Sequence, residues 1–160
     1  MKKVLFVLLA IVLLLGATAC VETGTVSQGD GAAGTVAQSN TTLGDFNIDI
    51  KSCRLAEDYE GKAVVIINYG FTNNGDDAAA FYTSVTAEVF QGGIGLNTCY
   101  FVDDSAKYDS GNQSKEIKPG ATLDVEVAYE LNDTTTDIEV EVSEWISFSD
   151  KKLTKTFKIA

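Results

Sequence analysis

Leu123-Asp124-Val125-Glu126-Val127-Ala128-Tyr129-Glu130-Leu131 alternates apolar and polar side chains almost without interruption. Successive side chains of a strand point to opposite faces, so this period of two describes a half-buried strand. Leu123, Val125, Val127, Tyr129 and Leu131 turn inward, and Asp124, Glu126 and Glu130 turn toward water. Lys118-Pro119-Gly120 launches the strand as a turn, and Asn132 to Thr136 closes it. The same period recurs on both sides. Downstream, Ile138, Val140 and Val142 alternate with Glu139 and Glu141, and a last strand carries Leu153, Phe157 and Ile159. Upstream, Phe46, Ile48 and Ile50 alternate with Asn47, Asp49 and Lys51, and Ala63 to Phe71 begins apolar on both parities, as a central strand does. Asn73-Asn74-Gly75 reads as a tight hairpin turn into a strand of Phe81, Thr83, Val85, Ala87 and Val89. A short strand spans Leu96 to Val102, and Asp103 to Ser114 is a polar loop. About seven strands with closely spaced turn signals and no helix past the N-terminal segment predict an antiparallel β-sandwich over residues 45–160. Like charges directly opposite each other are destabilising, so the acidic faces of 123–131 and 138–142 belong in different sheets or are offset.

The first 44 residues follow other rules. Lys2 and Lys3 precede an apolar run from Val4 to Leu15 and a small-residue stretch ending at Cys20, which is the form of a secretion signal. The run is shorter than the roughly 18 to 20 residues that span a bilayer, unless the small residues extend it to Val21 as an uncleaved anchor. Ala17-Thr18-Ala19-Cys20 resembles the lipobox of bacterial lipoproteins, with Ala17 in place of the usual Leu. That resemblance implies lipidation of Cys20 and removal of residues 1–19; ordinary cleavage after Ala19 is the alternative. Residues 20–44, rich in Gly, Ser, Thr and Gln and without an aromatic ring, read as a flexible linker of roughly 25 Å.

Composition excludes several function classes. The 160 residues include no His, which removes Ser-His-Asp and Cys-His nucleophiles and His-based metal sites. Losing residues 1–19 removes two lysines and no acid, so the formal charge moves from −11 to −13. A surface of that sign repels nucleic-acid phosphates and anionic lipid alike, leaving the lipid on Cys20 as the expected membrane contact. No cofactor is expected.

With Cys20 lipidated, Cys53 and Cys99 remain as a pair in a compartment that permits disulfides, either bonded or as two thiols. A bridge would add roughly 4 kcal/mol in the chain-entropy model. Strand parity places Cys53 on the polar face of the Phe46-Ile48-Ile50 strand, so burying it requires a bulge or a strand end.

Asp58-Tyr59-Glu60-Gly61-Lys62, Tyr69-Gly70-Phe71-Thr72-Asn73-Asn74, Val89-Phe90-Gln91, Lys118-Pro119-Gly120 and Val127-Ala128-Tyr129-Glu130-Leu131 together resemble a family of small Gram-positive surface lipoproteins. The resemblance covers about residues 45 to 160. It implies a telokin-like, immunoglobulin-type sandwich and supplies no catalytic residues, since the shared domain has no known function.

Asp76-Asp77 and Asp103-Asp104 lack the spaced ligand pattern of a calcium loop and read as solvated turns, so no metal site is expected. Tyr59, Tyr100, Tyr108 and Trp145 are the candidates for stacking on a sugar ring. Trp145 suits core packing better, and Tyr108, in the polar loop, is the expected exposed aromatic. The sequence thus points to a non-enzymatic, lipid-anchored module on the extracellular face of the cell membrane. Its expected partner is an extracellular protein or a cell-envelope component. The alternative is a carbohydrate or small-ligand binding module using the Tyr108 loop.

Overall fold

Val64 to Ile67 are apolar on both parities because both faces of their strand are covered: Val65 and Ile67 enter the main core, Val64 and Ile66 a second, smaller one. The structure, a computed structural model, describes residues 21–27, 40–146 and 150–159. The signal segment 1–19 and Cys20 lie outside the described residues. In chain order the strands are β1 Val21–Ser27, β2 Asn40–Leu43, β3 Phe46–Glu57, β4 Ala63–Asn73, β5 Val85–Gln91, β6 Ile94–Gly95, β7 Thr122–Glu130, β8 Ile138–Glu144 and β9 Lys152–Lys158. One sheet runs β2-β3-β4-β7 and the other β1-β9-β8-β5-β6, with every pairing antiparallel. The expected antiparallel β-sandwich is what forms, with nine strands among the described residues where about seven were read.

The main core joins the inner faces. Ile48, Ile50, Tyr69, Phe71 and Val125 meet Val89, Ile138, Val140, Val142, Leu153 and Phe157, all at 1% exposure or less. Burial of each such side chain contributes about 1.5–3 kcal/mol. Phe71 also stacks on Phe46 at 5.3 Å and meets Phe81 edge-on at 5.8 Å. β7 and β8 fall in different sheets, one of the two arrangements that their acidic faces allowed.

A bulge between Ile50 and Ser52 shifts the register of β3 on β4 and brings Cys53 to the buried face opposite Ile67, which is the device its parity called for. Lys155, 2% exposed on β9, reaches across the sandwich to this bulge. Its Nζ donates to the Ile50 carbonyl at 2.7 Å and the Lys51 carbonyl at 3.2 Å, and it stands 5.1 Å over the Phe157 ring.

Four readings are corrected. The segment 20–44 is not a linker at either end: β1 pairs with β9 from Val21↔Lys158 to Ser27↔Lys152, and β2 pairs with β3 and buries Leu43. Edge pairing is a backbone interaction, which a chain poor in apolar residues can still supply. Asn73-Asn74-Gly75 is a crossover between sheets, not a hairpin. Buried Asn73 donates its side-chain amide to the Asp77 and Ile117 carbonyls, and its side-chain oxygen accepts from the Gly75 amide. Phe81–Ser84 is a single helical turn, α1, so its strand begins only at Val85. Leu96 to Val102 makes isolated bridges, Thr98↔Tyr129 and Asp58↔Val102, in place of a strand.

The sandwich has two distinguishable ends. Glu57 to Lys62, Gly92-Gly93, Asn132 to Asp137, Lys158 and Val21 gather at one; Gly44, α1, Pro119, Trp145 and Ser27 gather at the other.

Candidate functional site

The β3–β4 turn is a fixed corner. Asp58 Oδ1 accepts the amides of Glu60 at 2.8 Å and Lys62 at 2.9 Å, while Gly61 takes the left-handed φ of +79° that the turn demands. Tyr100 to Asp103 then runs alongside. The Tyr59 amide donates to the Phe101 carbonyl at 3.2 Å and the Asp103 amide to the Glu57 carbonyl at 2.9 Å. Two tyrosines thereby stand on adjacent, hydrogen-bonded backbones with their rings in solvent, Tyr59 at 60% exposure and Tyr100 at 73%. The Tyr59 hydroxyl donates to Asp104 Oδ1 at 2.8 Å, and this bond to a carboxylate raises its pKa.

The Asp103–Ser114 loop folds back over the outer face of the β2-β3-β4-β7 sheet through 3-10 turns at Asp104–Ala106 and Gly111–Ser114. Asp103 Oδ1 caps the first turn by accepting the Ser105 amide at 2.9 Å, and Ser105 holds the carboxyl below its usual range. Lys107 closes that turn with a left-handed φ of 51°. Beneath it Arg54 pairs with both oxygens of Glu126 and donates to the Ala106 carbonyl at 3.3 Å. Burial pushes the Glu126 carboxyl up, but Arg54 and the Asp109 amide outweigh it and the net shift is downward.

Tyr108 is not the exposed ring the sequence suggested. Half-buried, it packs against Val64, Ile66, Cys99, Val102 and Ala128. Its hydroxyl accepts the Ala128 amide at 3.3 Å and the Gln113 side-chain amide at 3.0 Å, and burial raises its pKa. Gln113 also donates to the Glu126 carbonyl at 2.7 Å and Asn112 to the Asp124 carbonyl at 3.0 Å. These side chains occupy the free edge of β7, which would otherwise offer itself to another strand.

Together Tyr59, Tyr100, Asp103, Asp104, Lys107 and Tyr108 line an open groove of about 450 Å³. Three of the four aromatics named from sequence therefore converge, with Tyr108 as wall and support. Trp145 stands apart, 59% exposed beside Tyr82 and Ile146 at the opposite end, because β8 stops at Glu144 and the Trp145 amide is held on the Ser84 carbonyl. Another concavity, about 460 Å³ over the β8-β9 face, presents Asp137, Glu139 and Glu141 around the half-buried Phe90.

The possible Cys53–Cys99 disulfide does not form. Cys99 carries a free, buried thiol in the small cluster outside the four-stranded sheet, whereas Cys53 lies in the main core on its other face. The sheet itself separates them. Among the described residues no three Asp, Glu or Cys side chains gather as a metal-holding group, and no helix is long and apolar enough to cross a membrane.

The model of a family described as a domain of unknown function (DUF5067) matches residues 23–144, from β1 through the groove to the end of β8. Two solved structures share the fold. A chain described as a candidate lipoprotein from Staphylococcus aureus superposes with a TM-score of 0.58 at 19% identity, covering 85% of this chain and 93% of that one. A conserved hypothetical protein from Bacillus anthracis gives a TM-score of 0.52 at 12% identity, covering 72% of this chain and 90% of that one. No curated protein matches.

Proposed function

We propose, for a chain that belongs to the DUF5067 family of domains of unknown function, the role of a non-catalytic binding module held by a lipid on Cys20 at the outer face of the cell membrane. The observation that carries this reading is how the polar side chains around the groove are engaged. Asp103 caps a turn, Asp104 fixes Tyr59, and Tyr108 ties the loop to the sheet. The one hydroxyl that meets a carboxylate, Tyr59 on Asp104, has its pKa raised by that bond, which works against a phenolate nucleophile, and the two open tyrosine rings are contact surface. The lipobox-like segment before Cys20 and the lipoprotein description of the Staphylococcus aureus neighbour support the anchor.

The register of β1 adds a direction. Val21 pairs with Lys158, so a lipid on the preceding residue attaches at the groove-bearing end. The groove then faces the membrane-proximal zone, and Tyr82, Trp145 and Ile146 face outward. The test is fractionation of cells expressing Cys20→Ser followed by crosslinking capture on intact cells. The module reading expects the variant in the medium and a saturable partner for the wild type. Membrane retention of Cys20→Ser would overturn the anchor, and turnover of an envelope substrate would overturn the non-catalytic role.

A further inference from the structure

We propose that the groove between Tyr59 and Tyr100 binds a neutral carbohydrate chain, an inference that rests on the binding-module reading above and names its ligand. The two rings are displayed by backbone that is itself hydrogen-bonded, Tyr59 to Phe101 and Asp103 to Glu57, beside the isolated bridge Asp58↔Val102, so the two segments are held side by side. A protein that holds two tyrosines at 60% and 73% exposure forgoes the stabilisation of burying them. Flat faces of C–H groups, such as those of a pyranose, recover that contact without requiring a dry pocket.

The floor separates a sugar from a purely apolar ligand. Lys107 and Ser110 offer an ammonium and a hydroxyl, and Asp104 keeps the carboxylate oxygen that Tyr59 does not use, together the complement of vicinal hydroxyls. Charge separates a neutral chain from an acidic one. Asp58, Asp103 and Asp104 crowd this corner of a chain whose mature charge is −13, so a uronate or phosphate polymer is repelled. A groove of about 450 Å³ lies within the size range of small-ligand clefts, and its open form admits a length of chain in place of a single enclosed molecule.

The test titrates the detergent-solubilised full chain with cellotetraose, with the β-1,4-linked tetramer of N-acetylglucosamine, and with polygalacturonate, read by calorimetry and NMR. Binding of at least one neutral tetramer is expected with a dissociation constant on the order of 0.1–1 mM. Tyr100→Ala and Tyr59→Ala should each weaken it about tenfold, the equivalent of one stacking contact. Tyr59→Phe, which keeps the ring and loses only the bond to Asp104, should retain most of the affinity, and Tyr82→Ala at the far end should change nothing. Silence from both neutral probes, stronger binding of polygalacturonate, or affinity indifferent to both alanine variants would overturn the proposal. If a protein partner is still captured on cells while neither tetramer binds, the carbohydrate inference falls and the binding-module reading stands; loss of both results removes both.

Discussion

Replacing Tyr108 with Phe separates support of the groove from contact with its ligand. The substitution keeps the ring on Val64, Ile66 and Ala128 and removes only the hydroxyl. That hydroxyl accepts the Ala128 amide at 3.3 Å, and Ala128 is fully buried. An orphaned buried donor costs about 1–3 kcal/mol. The bond is long and Tyr108 only half-buried, so a value of about 1.5 kcal/mol is appropriate. Gln113 keeps its bond to the Glu126 carbonyl, so its loss adds little. For a domain of this size each kcal/mol moves the thermal midpoint by about 2–4 °C, giving a fall of about 3–6 °C. Tyr108→Ala also removes the packing of the ring and should cost about 3 kcal/mol in all. Thermal and urea unfolding of both variants, together with the oligosaccharide titration, make the assay. The reasoning expects Tyr108→Phe to lose stability and keep ligand affinity within about twofold. An unchanged midpoint with abolished binding would show Tyr108 to be a ligand contact after all and refute the anchoring role.

Lys155→Met should destabilise by about 2–4 kcal/mol in urea unfolding, because the Ile50 and Lys51 carbonyls at the bulge lose a shared donor while the side-chain volume is kept. Unchanged stability would mean that the bulge does not depend on the ammonium. Asp133 is held at about 2 by the amides of Thr135 and Thr136. Its folded pKa is depressed, so its stabilisation is complete above the unfolded value near 4 and is lost as pH falls toward 2. Asp133→Asn should therefore flatten the acid limb of the stability profile between about pH 4 and 2; parallel curves for variant and wild type would contradict this. On intact cells, a bulky maleimide should label Tyr82→Cys faster than Glu60→Cys, because the β1 register directs the β3–β4 turn toward the membrane. Equal rates would argue against that orientation.

The strands were legible because their period of two is a burial pattern, and β7, β8 and β9 appear where the alternation places them. The bulge was legible as one of two ways to bury Cys53, the other being a strand end. What failed depended on contacts between distant segments. Phe81 and Val85 fit one alternation, yet Phe81 sits in a helical turn against Tyr69 and Phe71. Asn-Gly after β4 carries a hairpin signal, but Asn73 is held by Ile117, 44 residues away. Polar composition hid β1 and β2 because edge strands gain from backbone pairing more than from apolar side chains. At the site, Tyr59 and Tyr100 were named, but nothing local shows that 100–103 lies along 57–59. Tyr108 was misplaced because a ring among polar neighbours can still face inward when its loop lies flat on a sheet.

The most direct test of the central claim is a binding isotherm of the purified protein on intact cells, compared with the double variant Tyr59→Ala/Tyr100→Ala. If the groove is the contact surface, the wild type is retained saturably, soluble neutral oligosaccharide competes it off, and the folded double variant is not retained. Equal retention of the two proteins would contradict the account and move the contact to another face of the sandwich.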